Sequence, residues 1–318
     1  MPYSTLTTIS ESPVNFEVIW AGSDDGMVHV TRDGGESWQR VSDELPQRRW
    51  VSQVHASEHD AGTAYVSLNG YRYDEFVTYL YKTEDYGQSW TDISGNLPED
   101  VVNVIVQDPE KPDILYAGQD HGTFVSFDDG QRWHLLNGIP NAASYDMLVH
   151  PRDLDLVVGT HGRSIYVSDV EPIHTVSEHL EDEIFVFEPE SVEHDGDWGE
   201  QDVGYEPPEM PSTEWMYWVG NEGAEGDQVT ITVADSTGSA VAEINDTANY
   251  GFNRYSWDLM TGEDSYIGPG TYTLTFEING ATHERTLEIS ADNGGPGNWN
   301  QRMFGSPDEI DFEQYEEY

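Results

Sequence analysis

The chain has 318 residues, no cysteine, and 13 Lys plus Arg against 61 Asp plus Glu, which gives a formal net charge of −48. A disulfide framework is therefore excluded, and negative charge of this size repels nucleic acid and anionic membrane surfaces. Aromatic residues make up 12% of the sequence, which is more than disordered chains carry, so we expect most of the chain to fold.

The basic residues are unevenly divided, because Lys82 and Lys111 are the only lysines and the rest are arginines. Dense carboxylates with few lysines are typical of proteins from a salt-saturated cytoplasm. At 1 M salt the Debye length is roughly 3 Å, so most of the repulsion between these carboxylates is screened. We therefore predict adaptation to high salt, and the alternative is an acidic surface that serves one partner.

The first residues, "MPYSTLTTISESPV", contain neither the basic region nor the apolar run of a secretory signal or a membrane helix. This predicts a cytoplasmic protein without membrane insertion. If the natural N-terminus is missing, a secreted protein is the alternative.

Four segments of the first half resemble one another, and they begin at Thr5, Val51, Val102 and Ser144. Each predicts a short strand, a polar turn, an apolar strand, a turn around glycine and a third strand. In the first three segments another turn and a fourth strand follow. Four antiparallel strands repeated about every 40 to 50 residues are the pattern of a β-propeller blade. We therefore predict an all-β fold that begins with a partial β-propeller of about four blades.

The turns before the fourth strands read "TRDGGESW", "TEDYGQSW" and "SFDDGQRW". They match the Asp-box, Ser/Thr-x-Asp-x-Gly-x-Thr/Ser-Trp, except that Arg132 replaces Ser or Thr in the third copy. The Asp carboxylate can accept hydrogen bonds from its own hairpin, Gly permits a positive φ, and Trp anchors the turn. The matching residues are Thr31, Asp33, Gly35, Ser37, Trp38, Thr83, Asp85, Gly87, Ser89, Trp90, Ser126, Asp128, Gly130 and Trp133. A catalytic group is normally needed once, so three copies indicate a structural role.

With these motifs, residues 5–289 resemble the Asp-box (bacterial neuraminidase repeat) propeller proteins of the sortilin-like group, often called glycosyl hydrolases, in a halophilic archaeal form. The similar stretches are "YLYKTEDYGQSW", "LVVGTHGRSIYVSD" and "IFVFEP". "NRYSWDL" and "GPGTYTLTFEING" resemble the small immunoglobulin-like domain that follows in that group. The resemblance implies this fold, but it implies no specific activity, since Asp-boxes occur in sialidases and in receptors.

The fourth repeat ends at "IYVSDV", without the Gly, the Trp or the last strand of a complete blade. Propellers close with four to eight blades, and open stacks expose strand edges. We expect a second chain or a homo-oligomer to complete the propeller, and a compact four-bladed ring is the alternative. A truncated or split gene would also explain the missing blades.

Composition divides the chain into four parts. Residues 1–170 are predicted to form the Asp-box blades, and residues 171–212 an acidic, proline-containing linker whose "IFVFEP" run adds a short strand at the domain interface. Residues 213–290 alternate apolar and polar side chains, which predicts a β-sandwich of six or seven strands. Residues 291–318 form an acidic tail that we predict to be disordered or loosely docked.

In an antiparallel blade the turns that join strands 2 and 3 lie on one face with the connections between blades, and the Asp-box turns lie on the opposite face. We call these the upper face and the lower face. The predicted ligand-binding residues of the upper face are Arg48, Arg49, Trp50, Tyr71, Arg72, Tyr73, Asp120, His121, His161 and Arg163. Arginines beside aromatic rings suit a carboxylated sugar or an acidic peptide. The competing interpretation is that each arginine neutralises neighbouring carboxylates.

No catalytic residues are identified. A sialidase needs three arginines, a Tyr nucleophile with a carboxylate partner, and an acid/base Asp, and no motif places such a set in this chain. The histidines lack metal-ligand spacing, so we predict neither a metal nor a cofactor. Two functions remain: a non-catalytic recognition or scaffold module for protein or glycan, and a sialidase-like glycoside hydrolase or a fragment of one.

Overall fold

The computed structural model describes residues 4–196, 198–199, 210–261 and 265–291. The predicted tail, residues 291–318, lies outside this range except for Ala291. The all-β prediction is confirmed, since six antiparallel or mixed sheets account for nearly all regular structure in the described chain. The sheets form a partial propeller followed by a sandwich.

Three complete blades open the chain, each a four-stranded antiparallel meander in sequence order. Blade 1 contains β1 (Leu6–Glu11), β2 (Ile19–Ser23), β3 (Val28–Thr31) and β4 (Gln39–Arg40). Blade 2 contains β5 (Trp50–Ala56), β6 (Ala64–Asn69), β7 (Tyr79–Thr83) and β8 (Thr91–Asp92). Blade 3 contains β9 (Val102–Gln107), β10 (Leu115–Gln119), β11 (Gly122–Ser126) and β12 (Trp133–Leu135).

Blade 4 has three strands: β13 (Ser144–Val149), β14 (Asp155–Thr160) and β15 (Ile165–Asp169). After Asp169 the chain does not turn back into a fourth strand. It enters the short helix α1 (Glu171–Val176), which has Pro172 in its first turn and buries Ile173 and Val176. Proline is well tolerated at that position because no intrahelical N–H bond is lost there. The outer edge of β15 is therefore unpaired in the described chain.

Side chains of the inner strands β1 and β5 accept hydrogen bonds from the backbone of the next inner strand, β5 and β9 respectively. The Oγ1 of Thr8 accepts from the Val54 N–H at 3.2 Å, and the Oε1 of Gln53 accepts from the Ile105 N–H at 2.5 Å. His55 accepts from the Gln107 N–H at 3.2 Å, which requires a neutral ring nitrogen. Burial lowers the pKa of His55 to about 4 and keeps the ring neutral. These bonds place successive blades at a repeated spacing.

The four blades form an open stack. Hydrophobic clusters join blade 1 to blade 2, blade 2 to blade 3, and blade 3 to blade 4. Among the described strands, β13 does not pack against β1, so the compact four-bladed ring is not observed. The outer faces of the two end blades expose apolar side chains, such as Ile9 (66% exposed) in blade 1 and Ile165 (68% exposed) in blade 4.

Two packed sheets form the second half of the described chain, as expected for a β-sandwich. One sheet has the order β16, β18, β21 and the other has β17, β23, β22, β19, β20. Their bounds are β16 (Phe185–Val186), β17 (Val192–Glu193), β18 (Thr213–Val219), β19 (Gln228–Ala234), β20 (Ala240–Thr247), β21 (Gly251–Trp257), β22 (Gly270–Ile278) and β23 (Ala281–Ser290). The short strands β16 and β17 come from the segment that composition suggests as a linker.

Blade 3 and the sandwich share one apolar cluster. The Trp218 ring lies 5.7 Å from Phe127 and 4.9 Å from His134, both in blade 3. Arg132, the residue that departs from the Asp-box pattern, donates to Glu222 at 2.8 Å and lies over the Tyr250 ring. The substitution in the third Asp-box therefore gives blade 3 a polar contact with the sandwich.

In the described part of the chain no helix is both long and apolar enough to cross a bilayer.

Candidate functional site

The three Asp-boxes share one hydrogen-bond pattern. In the first, the Oδ1 of Asp33 accepts from the Ser37 N–H at 2.8 Å and from the Thr31 hydroxyl at 2.7 Å. The Gly35 N–H donates to the Thr31 hydroxyl at 2.9 Å. The second and third boxes repeat these bonds around Asp85 and Asp128. Each carboxylate thus closes its own turn.

The acidity of these carboxylates agrees with a structural role. Hydrogen bonds from the side chain and backbone of Ser37 lower the pKa of Asp33 to about 2. The same kind of bonds from Ser89 lower the pKa of Asp85. A carboxyl group that donates a proton in catalysis near neutral pH needs a raised pKa, so these two are poorly suited to that task.

The tryptophans of the second and third Asp-boxes also join neighbouring blades. The indole N–H of Trp90 donates to the Val41 carbonyl of blade 1 at 2.7 Å, and that of Trp133 donates to the Ile93 carbonyl of blade 2 at 2.9 Å. Trp38 belongs to blade 1, before which the described residues contain no other blade, and it is 45% exposed. The sequence predicts that the Trp anchors its turn. The structure shows that Trp90 and Trp133 anchor their turns to the preceding blade.

The glycines of the second and third Asp-boxes also lie against the preceding blade. Gly87 has a φ of +80°, and a Cβ there would lie 2.6 Å from Val41 of blade 1. Gly130 has a φ of +87°, and its Cβ would lie 2.8 Å from Ile93 of blade 2. Glycine is therefore required for two reasons, the left-handed backbone and the close approach of the preceding blade.

The predicted upper-face residues lie in four loops, as the antiparallel topology requires. Arg48 and Arg49 precede β5, and Trp50 is its first residue. Tyr71, Arg72 and Tyr73 form one 3-10 turn between β6 and β7. Asp120 and His121 join β10 to β11, and His161 and Arg163 lie between β14 and β15.

The loops of blades 1 and 2 form one cluster. Arg49 pairs with Glu75, which also accepts from the Tyr79 hydroxyl at 2.9 Å, and the Arg49 guanidinium lies 5.2 Å from the Tyr73 ring centre. The guanidinium of Arg72 lies 4.9 Å above the Trp50 ring. Arg49 is therefore neutralised by a neighbouring carboxylate, whereas Arg72 is held on an aromatic face.

The loops of blades 3 and 4 form a second cluster. His121 is exposed, and both its backbone N–H and its Nδ1 lie within 3.0 Å of the Oδ2 of Asp100. Tyr145 lies with its ring 5.5 Å from that of His161. Burial raises the pKa of Tyr145, and the nearby groups Asp120 and Tyr71 raise it further. This tyrosine therefore lies where loops of blades 2, 3 and 4 meet.

Sequence reasoning missed Glu75, Asp100 and Tyr145. Tyr145 is the residue of β13 that has no partner in the ladder, because a bulge places it between two paired residues. The same bulge occurs at Thr7, Ser52 and Asn103 in the inner strands of the other blades, so an alignment of the repeats marks this position. No sequence signal marks Glu75 among so many acidic residues, since its partner Arg49 is 26 residues away.

Most described arginines pair with carboxylates within 4 Å, namely Arg40, Arg49, Arg132, Arg152, Arg254 and Arg285. In the described chain the arginines without such a pair are Arg32, Arg48, Arg72 and Arg163. Arg32 lies over Tyr86 on the lower face. The other three lie in the upper-face loops, so this face carries exposed positive charge that pairs with no acidic side chain of the described residues.

The principal cavities lie away from this face. Three are lined by sandwich residues with the segments next to them, and one lies between the inner strands near His55 and Met147. None of the predicted upper-face residues lines them. Within the described ranges, no group of three metal-ligating side chains comes together. On the upper face, arginines and the rings of Tyr71, Tyr73 and Tyr145 are exposed.

No protein-family model matches the chain, and no curated protein matches it. The structure of YCF48 bound to D1 peptide aligns over 90% of this chain and 82% of its own, with 12% identity and a TM-score of 0.38. An ancestral GH74 enzyme aligns over 89% of this chain, with 13% identity and a TM-score of 0.42. A GH74 enzyme of Niastella koreensis aligns over 89%, with 9% identity and a TM-score of 0.41. This chain spans 40% and 46% of those two enzymes.

Proposed function

We propose that this chain is a non-catalytic recognition module of a salt-rich cytoplasm, and that its upper face binds a protein segment or glycan that carries carboxylate groups. The observation that carries the proposal is the set of arginines without ion pairs, Arg48, Arg72 and Arg163, in loops of the same face. With 61 acidic residues available, arginines that serve only to neutralise charge would be expected to have acidic neighbours.

The chemistry of the loops fits a carboxylated ligand. A guanidinium binds a carboxylate through two parallel N–H bonds, and Arg72 is already oriented by its contact with Trp50. The exposed rings of Tyr71 and Tyr145 offer flat surfaces on which a sugar or a side chain can pack. The stacking and hydrogen-bonding parts of these contacts act at short range, whereas the Coulomb attraction between exposed charges is weakened in molar salt.

A sialidase-like glycoside hydrolase, or a fragment of one, is the second candidate. The observation in its favour is that Tyr145 lies near the carboxylate of Asp120, the pair of groups that a tyrosine nucleophile needs. The raised pKa of Tyr145 weakens this candidate, because a nucleophilic phenol is helped by a lowered pKa. Hydrolysis of fluorogenic sialosides and other glycosides in multimolar KCl distinguishes the two functions, since the recognition module releases no product.

Replacing Arg48, Arg72 and Arg163 together with Gln is expected to weaken ligand binding with little loss of stability. Charge-assisted hydrogen bonds contribute about 1.5 to 3 kcal/mol each, so affinity is expected to fall at least about tenfold. Titration calorimetry in multimolar KCl with sialyllactose, oligogalacturonate and oligoglutamate probes measures this change.

The matched control replaces Arg32, Arg40 and Arg152 with Gln. It makes the same change in net charge but leaves the upper face intact, so the affinity of the bound probe is expected to stay within twofold of the unmodified protein. Equal losses in the two triple variants would contradict a specific site on the upper face. Binding of no carboxylated probe by the unmodified protein would contradict the proposed ligand class.

We further propose that blades of a second chain, or of a second copy of this chain, cover the open ends of the stack. The exposed apolar residues of the end blades, among them Ile9, Leu148, Ile165 and Val167, support this proposal. Light scattering in multimolar KCl is expected to give at least twice the mass of 35.8 kDa, or a complex when the partner is present. A stable monomer that captures no blade-bearing partner would contradict it.

A further inference from the structure

A groove runs beside β15, at the place where blade 4 lacks its outer strand. A cavity of about 360 Å³ is bordered on one side by Tyr166 and Ser168 of β15 and on the other by Met216 and Phe252 of the sandwich. Its lining is mostly apolar, and β15 is an unpaired sheet edge in the described chain. An unpaired edge beside an apolar cavity suits an extended segment that adds as a strand and inserts a side chain.

The other blades show which side chain belongs in that position. The fourth strand of blade 3 begins with Trp133 opposite Ser126. Aligned through the sheet ladders, Ser126 corresponds to Ser168 of blade 4, because Leu115 pairs with Ser126 and Leu156 pairs with Ser168. A fourth strand on blade 4 would therefore place its Trp opposite Ser168, beside the cavity.

The acceptor for the indole of such a Trp is also present. Trp90 and Trp133 donate to the carbonyls of Val41 and Ile93, each the residue after the fourth strand of the preceding blade. The corresponding residue of blade 3 is Leu136, and it lines the cavity. Its carbonyl accepts from the Ile139 N–H at 3.2 Å, which leaves one lone pair available.

The chain itself carries a segment that can occupy the groove. Residues 299–303 read "WNQRM", which resembles "WQRV" at the fourth strand of blade 1 with Asn300 inserted after the Trp, and Trp299 is the one tryptophan outside the described residues. The Asp-box that precedes the other fourth strands is not repeated there, since Pro296 stands at the position of its glycine. The likeness is therefore confined to the strand and its Trp.

The last described strand, β23, ends beside a second cavity that adjoins the groove. Ser290 bonds Val192 and His194, and Val192 lines a second cavity that shares Met216 and Arg254 with the first. The nine residues from Ser290 to Trp299 can span at most about 30 Å. The arrangement proposed below requires this length to cover the distance from Ser290 to Ser168.

We propose that residues 298–303 add to β15 as the fourth strand of blade 4, with the Trp299 indole in the cavity and its N–H on the Leu136 carbonyl. The strand runs antiparallel to β15, with Asn300 opposite Val167. The segment thereby links the end of the sandwich back to the propeller and covers the unpaired edge. This site is separate from the upper face and does not depend on the function proposed there.

Cysteine trapping tests the arrangement directly, because the native chain has no cysteine. The pair Val167→Cys with Asn300→Cys places the two thiols on directly opposite residues, a separation that a disulfide can bridge. The control pair is Val167→Cys with Gln301→Cys, one residue further on, whose side chain points to the other face of the strand. Mild oxidation of the full-length variants in multimolar KCl is followed by peptide mass mapping.

The expected result is an intramolecular disulfide that forms roughly tenfold faster in the Asn300 pair than in the Gln301 pair, as a fixed register raises effective concentration. Adding Trp299→Ala to the Asn300 pair is expected to remove that advantage. Equal rates in the two pairs, or no effect of Trp299→Ala, would overturn the proposal. Disulfides formed only between two chains would also overturn it, because they would show that residues 298–303 of one copy add to β15 of another.

Discussion

Trp133→Ala is expected to destabilise the protein by about 3 to 5 kcal/mol, the usual cost of removing a buried aromatic side chain. Trp133 is 3% exposed and packs with Ile93 and Phe124 in the cluster between blades 2 and 3. The substitution also removes the indole bond to the Ile93 carbonyl. Chemical denaturation in multimolar KCl, monitored by circular dichroism, measures the loss.

The matched control is Trp38→Ala, at the same position of the first Asp-box. Since Trp38 is 45% exposed and the described residues place no blade before blade 1, its removal is expected to cost less than about 1 kcal/mol. Similar losses at both positions would mean that the Asp-box tryptophans stabilise their own turns, and that packing on the preceding blade contributes little.

Asp128→Ala is expected to destabilise the protein by about 1 to 3 kcal/mol, because it leaves the Arg132 N–H and the Ser126 hydroxyl without their acceptor. Asp128→Asn is expected to recover most of this loss, since the amide oxygen can accept the same bonds. The free energies of unfolding of both variants, with ligand affinity as a second measurement, check the structural role.

Affinity is expected to be unchanged in both Asp128 variants, because the Asp-box lies on the face opposite the proposed binding loops. A variant that keeps its stability but loses ligand binding would show that the Asp-boxes take part in recognition. That result would contradict the assignment of function to the upper face.

The blades were predictable from the sequence because their signals are local and repeated. Asp33, Asp85 and Asp128 each bond residues within four positions, so residue types at fixed spacing are enough to predict the turn. The topology of antiparallel meanders then assigns the turns to two faces without further information. The sandwich followed from alternation of apolar and polar residues in strands such as β19 and β23.

The contacts between blades were not predictable, because they join residues far apart in the chain. Nothing near Trp133 indicates that its indole reaches Ile93, 40 residues earlier. Likewise, the sequence predicts the same role for Arg49 and Arg72, but their partners differ in the structure. Arg49 pairs with Glu75, whereas Arg72 does not pair with a carboxylate among the described residues. Which arginine stays available for a ligand is a property of the tertiary structure.

The open stack also arises from tertiary contacts. The sequence predicts that blade 4 lacks a last strand, and it leaves open whether four blades close into a ring. In the structure, helix α1 and the sandwich pack beside blade 4, through Ile173, Phe252 and their neighbours, and a cavity lies between them and β15. Each end blade therefore leaves one face exposed in the described chain.

Hydrogen–deuterium exchange of the complex with the tightest-binding carboxylated probe tests the proposed function most directly. The probe is expected to slow exchange in residues 47–50, 70–78 and 160–164, the loops that hold Arg48, Arg72 and Arg163, and to leave the three Asp-box turns unchanged. Protection confined to the Asp-box turns, with no change in the upper-face loops, would contradict the proposed binding face.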